Sequence, residues 1–401
     1  MLTLHNDFKT IQIALFFIDK DEPKRAILRY LLPRLMAAQT DGLPSRKHMS
    51  IHCEKLYGAY FKVRTERIAN LSVMSLILTI VDPKIVSDET LFNDAVSLFD
   101  QVLYDHHTFD SGVFNDEVRM IKEYYQTLKD KKRAYASYRF NELFFENDPY
   151  GYPLSGSLQD LNNLKLSDIK AYYDDIIRTQ SRYLVVNGAI SDLDLSIIET
   201  RLGPVKPLNH VFETSFRSKR ELVKVVEETD MKQAIIKIGF ILPIYRNHPL
   251  FNATILFDTI LGGYPESRLF KRIREEEGLC YDIASSYDHY KGILMISSGV
   301  DLKKVDHALE EIQQVIKQLK EHNVQPHELM NAKKYYIHSI KSSLDSQSNL
   351  TKRAFIRTML NYEDTIEEKI KAIENVSLED IQEVTKTLDL DTIYILKGGA
   401  Q

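Results

Sequence analysis

Residues 267–286 read SRLFKRIREEEGLCYDIASS. Leu269, Phe270 and Ile273 recur on one helical face, and Ser267 stands where an N-cap hydroxyl belongs. Gly278 falls where a C-terminal glycine closes a helix. Leu279–Ser285 then reads as a strand, so the stretch is expected to turn a corner from helix to strand. Arg274 lies in the last helical turn and Tyr281 at the strand start. A guanidinium and a phenol held close together at such a corner are both donors. Aimed at one carbonyl oxygen, they would form an oxyanion clamp. The same two residues also suit a structural role, with Arg274 complementing the helix dipole and Tyr281 packed in a sheet.

Working outward, the order of elements occurs twice. In the first half, Phe8–Ile18 reads as a strand. Pro23 opens a helix through Ala26, Ile27, Leu31 and Leu35, which Pro33 is expected to kink or shorten. Arg46–Leu56 reads as a helix closed near Gly58. Tyr60–Thr65 and Leu71–Val81 read as strands. Glu89–Leu103, Asp116–Lys129 and Leu166–Ile177 read as helices, the last capped by Ser167. Arg182–Gly188 reads as a short strand. In the second half, Ala234–Ile241 is a strand and Pro249–Leu261 a helix. The quoted corner follows, then a strand at Ile293–Val300 after the Lys291-Gly292 turn. Helices at Lys304–His322 and Pro326–Leu344 come next.

Leu164–Ile169 is echoed by Val376–Ile381, and each leads through a helix into a short apolar strand ending in glycine. Gly58-Ala59-Tyr60 is echoed by Gly278-Leu279-Cys280-Tyr281. A repeat this long implies a duplicated domain, not a solenoid. The expected domains are 1–205 and 220–401, joined through Gly203–Arg220, which holds two prolines and no clear periodicity. Strands alternating with helices suggest mixed α/β or α+β domains.

A chain of 401 residues is too long for one hydrophobic core. Hydrophobic content of 44% and charged content of 27% are those of an ordinary globular protein. A net charge of −5 gives no basic excess to suggest nucleic acid. Two cysteines, Cys53 and Cys280, make no disulfide framework and fit a reducing, cytoplasmic setting. No signal peptide is read at the start, and the apolar run Ile11–Ile18 is too short to span a bilayer. No membrane partner is expected.

The pattern SRLFxxxRExxGLxY resembles the C-terminal-half signature of the zinc peptidases that include insulinase, pitrilysin and mitochondrial processing peptidase. Phe145–Gly156, with Asp148-Pro149-Tyr150-Gly151, is similar to a second segment of that family. The resemblance implies an α+β fold class, with two tandem homologous α/β domains forming a clam shell. It also implies that Arg274 and Tyr281 reach a substrate backbone at a zinc site.

Zinc peptidases of this family use H-x-x-E-H, two histidines one helical turn apart with a glutamate as base. By position that motif falls at Leu32-Pro33-Arg34-Leu35-Met36, which offers no imidazole and no carboxylate. Glu123 matches the distal ligand position but cannot hold zinc alone, and it also suits a helix surface making i,i+4 contacts. His48 and His52, four apart, lack an evident third ligand. His106 and His107 read as surface histidines. His307-Ala308-Leu309-Glu310-Glu311 lacks a second histidine. No metal site and no cofactor are therefore expected in this chain.

The resemblance then implies the zinc-less subunit of a heteromeric peptidase, inactive alone. Zinc would sit in a homologous partner, with Arg274 and Tyr281 completing its site around peptides such as leader or precursor peptides. Substrate would pair along a sheet edge, with Tyr60–Thr65 the candidate. The alternative is a metal-free peptide-binding or scaffold protein with no role in hydrolysis.

Overall fold

The computed structural model describes residues 1–202, 219–322, 324–362 and 364–399. The fold is α+β, as expected, and built on two five-stranded sheets. The first contains β1 (Leu2–His5), β2 (Thr10–Lys20), β3 (Tyr60–Ile68), β4 (Leu71–Val81) and β5 (Ser181–Gly188). The second contains β6 (Val223–Thr229), β7 (Gln233–Ile241), β8 (Cys280–Asp288), β9 (Ile293–Asp301) and β10 (Asp389–Gly398).

The strand orders are β1-β5-β2-β4-β3 and β6-β10-β7-β9-β8, the same order with the same roles. In each sheet one pair is parallel, β1 with β5 and β6 with β10, and the remaining pairs are antiparallel. The echoed segments take the same local form. The Asp168 carboxylate accepts from Lys165 N at 2.9 Å, and the Asp380 carboxylate accepts from Ser377 N at 2.8 Å. The cap of the helix Leu166–Thr179 is thus Lys165, with Ser167 already inside the first turn.

Two compact units form, each discontinuous in sequence. One comprises the described residues of Met1–Gln126, Tyr152–Phe212 and Ser343–Glu363, and the other those of Thr127–Gly151, Glu213–Ser342 and Asp364–Gln401. The expected linker Gly203–Arg220 lies outside the described residues, apart from Lys219 and Arg220.

In the first unit, β2 alternates between two buried faces. Ile11, Ile13, Leu15 and Phe17 join the core formed with the helices Ala26–Met36, Leu91–Tyr104 and Leu166–Thr179. The opposite face is covered by the helix Gln347–Met359, which comes from the second half of the sequence. Phe355 stacks on Phe16 with ring centroids 4.0 Å apart. Beside the stack, Gln347 Nε2 donates to the carbonyls of Thr10 and Asn187, and Thr351 Oγ1 donates to Gln12 Oε1. These bonds satisfy polar groups that are otherwise costly to bury. The helix Ala26–Met36 runs through Pro33 and ends three residues later.

In the second unit, one sheet face packs on Leu256, Phe257, Ile312, Ile316 and Ile381. The other carries the helix Lys132–Phe144, which comes from the first half of the sequence. Its Phe140 and Phe144 lie so close to β7 that a Cβ on Gly239 would sit 2.5 Å from the Phe144 ring. Glycine at this position is what lets the helix approach. Among the described residues, no helix is long and apolar enough to cross a membrane.

Candidate functional site

The corner predicted at 267–286 forms in the second unit, with two local departures. The helix is π-wound over Phe270–Glu276. π-wound segments are uncommon and often accompany function. Leu269, Ile273 and Leu279 are buried in the core and anchor the corner. Gly278 has φ +56°, and Leu279 N donates to Ile273 O at 2.9 Å across it. The bond spans one residue more than the closure a C-terminal glycine gives an α-helix, in keeping with the π-wound last turn. Ser267 does not cap: its hydroxyl is buried and makes no hydrogen bond among the described residues. Only its carbonyl serves the helix, accepting from Lys271 N at 2.9 Å.

Three arginines leave this helix with different fates. Arg268 makes two hydrogen bonds of 2.7 Å to the Glu328 carboxylate. Arg272 pairs with Glu311 at 2.6 Å and with Glu276 and Glu277. Arg274 is exposed and pairs with no carboxylate among the described residues. Its guanidinium carbon stands 4.6 Å from the centroid of Phe270.

Tyr281 occupies a β-bulge. Cys280 pairs with Val300 and Asp282 with Gly299, so Tyr281 is the extra residue. A bulge re-aims its side chain, and Tyr281 is 75% exposed. Its hydroxyl makes no hydrogen bond with any described residue. The backbone behind it is held: Ser298 Oγ donates to Asp282 O at 3.0 Å. The Asp282 carboxylate is clamped by Arg133 at 2.7 and 2.8 Å. The corner therefore presents two uncommitted donors on a braced frame.

The first unit holds the segment where a zinc motif would lie. Leu32, Leu35 and Met36 are fully buried in the hydrophobic core. Two hydrocarbon side chains and a thioether do not fit zinc. On the adjoining surface lies a cavity of about 520 Å³ whose lining includes Arg34, Arg46, Met49, Cys53, Tyr60 and Glu117. Glu117 is 5% exposed and pairs with Arg46. Arg34 stacks 3.6 Å above the Tyr30 ring and donates to the Tyr30 carbonyl. Burial lowers the Arg34 pKa below the usual arginine value. Glu123 lies elsewhere, on the exposed side of its helix, paired with Arg119 at 3.2 Å.

Glu117 is the residue that sequence reasoning passed over. Phe114, Glu117 and Ile121 are the buried positions of the helix Ser111–Gln126. Their i, i+3, i+7 spacing was the available signal.

His48 shares a hydrogen bond with Ser45 Oγ, 2.8 Å away, and no third ligand joins it and His52 among the described residues. His106 is not at the surface. It is 1% exposed, shares a hydrogen bond with Val102 O at 2.8 Å and stacks on Phe109 at 5.0 Å. Burial lowers its pKa. His107 is exposed and bonded to Asp41 at 2.6 Å. With Asp105 these two form an acidic surface cluster among the described residues. His307 lies 3.5 Å from Glu277 on a charged face.

Residues 163–336 match the family model described as the peptidase M16 inactive domain. A "probable inactive metalloprotease", YmfF of Bacillus subtilis, is 24% identical over 401 residues, covering 98% of this chain and 93% of its own length. The antilisterial bacteriocin subtilosin biosynthesis protein AlbE of Bacillus subtilis is 22% identical over 303 residues, 73% of this chain and 74% of its own. Among solved structures, the peptidase M16 inactive domain from Pseudomonas fluorescens superposes with a TM-score of 0.83 at 18% identity, covering 99% of this chain and 95% of that one. With hydrophobic residues where the zinc motif would lie, the chain is a homologue, over nearly its whole length, of M16-type proteins described as inactive.

Proposed function

We propose that this chain is the non-catalytic subunit of a heteromeric zinc peptidase, and that it lends Arg274 and Tyr281 to a homologous partner. One observation carries the proposal. Arg268 and Arg272 are spent on ion pairs, while Arg274, over the Phe270 ring, and Tyr281, on the same corner, make no hydrogen bond or ion pair with any described residue. A purely structural arginine and tyrosine would be engaged as their neighbours are. In this reading the partner supplies the zinc-bound water. The part of this chain is to hold a peptide carbonyl and to oppose charge developing on its oxygen.

The identical strand orders support treating 1–205 and 220–401 as homologous halves. In the first half, β3 is an edge strand, able to pair with an extended peptide through its backbone. The resemblance to a bacteriocin biosynthesis protein supports a ribosomally made peptide as substrate. Free Cys53 and Cys280 support a cytoplasmic setting. A second reading, a peptide-binding scaffold without hydrolysis, is favoured by Leu32, Leu35 and Met36 in the core.

The test is co-expression with a homologue bearing H-x-x-E-H, followed by co-purification and a peptide-cleavage assay. Cleavage by the pair and by neither chain alone is expected. An active partner indifferent to this chain would leave the scaffold reading.

A further inference from the structure

The cavity beside β3 contains a cation, Arg34, that meets no counter-charge among the described residues. Arg46 and Glu117 neutralise each other. Arg34 is left with a stacking contact and one carbonyl, and no carboxylate among the described residues reaches it. A guanidinium offers five donors and stays charged even when burial opposes it. Holding it partly desolvated and unpaired costs stability, and an incoming anion removes that cost.

We propose that Arg34 anchors a carboxylate-binding site, taking the C-terminus or an acidic side chain of an extended peptide lying along β3. The planar guanidinium matches a carboxylate in two parallel hydrogen bonds. Met49, Cys53 and Met120 offer apolar wall for the stem that carries the carboxylate. Tyr60, Phe61 and Val63 of the edge strand line the same cavity, so a chain pairing with β3 brings alternate side chains to its mouth. A volume of about 520 Å³ suits one residue and its carboxylate, not a folded domain. The proposal rests on the peptide-binding part of the reading above, and not on Arg274 or Tyr281.

Two probes of the full chain test it. The first is N-acetyl-leucine, followed by thermal shift, which needs no strand pairing. It should raise the melting temperature of the wild type and not of Arg34→Met, with Arg34→Lys intermediate. The second is an N-terminally dansylated nonapeptide of Gly, Ser, Val and Leu, whose label carries no acid group, prepared as the free acid, as the C-terminal amide and as the amide with one internal Glu. At least one carboxylate form should bind about tenfold tighter than the plain amide, as expected for a charge-assisted hydrogen-bonded pair. Arg34→Met should erase that advantage and leave the amide's affinity unchanged. The acid and internal-Glu arms decide which carboxylate is taken. Equal affinity for all three peptides overturns the carboxylate site while peptide binding stands. An Arg34-dependent response to N-acetyl-leucine without any peptide binding upholds the site and overturns the peptide reading. A wild-type chain that responds to neither probe overturns the proposal.

Discussion

Thr65 Oγ1 donates a hydrogen bond of 3.0 Å to the carbonyl oxygen of Arg29. That carbonyl is the one Pro33, four residues on, cannot bind because it has no N–H. The strand residue thus repairs the helix, and the helix Ala26–Met36 continues through its proline. Thr65→Val should destabilise the first unit by about 1–2 kcal/mol, the cost of an unsatisfied buried acceptor. In a Pro33→Ala background the helical N–H returns, and the same change should cost clearly less. A double-mutant cycle from urea denaturation reads the coupling. Equal penalties in both backgrounds would show that Thr65 does not compensate Pro33.

Gly239 sits under the rings of Phe140 and Phe144. Gly239→Ala should cost about 1–3 kcal/mol through overpacking. Phe144→Leu should recover part of that loss in the double variant, although alone it destabilises. Additive losses would mean that the close approach of this helix is not what requires glycine.

Much of this architecture was legible in the residues. The apolar run of β2, the closing glycines Gly58 and Gly278 and the echoed Asp168 and Asp380 all lie where local patterns put them. The helices Lys132–Phe144 and Gln347–Met359 were not legible as covers of a sheet face. Each packs on a sheet built from the other half of the sequence, and no local period reports such a partner. The burial of His106 was hidden for the same reason, since Tyr173, which packs on it edge to face, arrives from another helix. At the corner, Arg274 and Tyr281 were readable, but the bulge that turns Tyr281 outward depends on its pairing with β9. The π-winding left no separate trace, because Leu269, Phe270 and Ile273 suit an α-helical face equally well.

Two buried groups of the second unit should give opposing pH slopes. Burial pushes Asp258 up to about 6, although it accepts from Ser285 Oγ at 2.6 Å and Tyr287 N at 3.2 Å. A folded pKa above the unfolded one gives stability that is complete below about pH 4 and lost as pH rises through about 6. Burial, with Arg246 and Lys369 nearby, pushes His289 down to about 4. A depressed histidine gives stability that is complete above pH 6.5 and lost as pH falls through about 4. Asp258→Asn leaves the histidine slope, so acidification from pH 6.5 to 4.5 should destabilise it more than wild type. His289→Gln should be destabilised less. Denaturant midpoints at several pH values check this, and parallel curves for all three proteins would refute it.

The purified chain should carry far less than one zinc per molecule after dialysis, since Leu32, Leu35 and Met36 offer no competent ligand set. Elemental analysis decides it. One equivalent of tightly held zinc would require a site built from other residues.

The assembled complex should depend on Arg274 and Tyr281 for turnover and not for stability. Both side chains are exposed and bonded to no described partner, so Arg274→Ala and Tyr281→Phe should each change stability by less than about 0.5 kcal/mol. A preorganised donor to a developing oxyanion is worth roughly a hundredfold to a thousandfold in rate. Turnover of the complex should fall by that order in either variant, while co-purification with the zinc-bearing subunit is unchanged. Arg268→Ala supplies the contrast, because it breaks the paired hydrogen bonds to Glu328. It should lower the melting temperature and leave turnover near wild type at temperatures where the complex remains folded. The three variants together separate a chemical role from a structural one at a single corner. Full turnover in a well-assembled Arg274→Ala complex would remove this corner from the chemistry, and a large loss of melting temperature in Tyr281→Phe would return Tyr281 to the framework of the sheet.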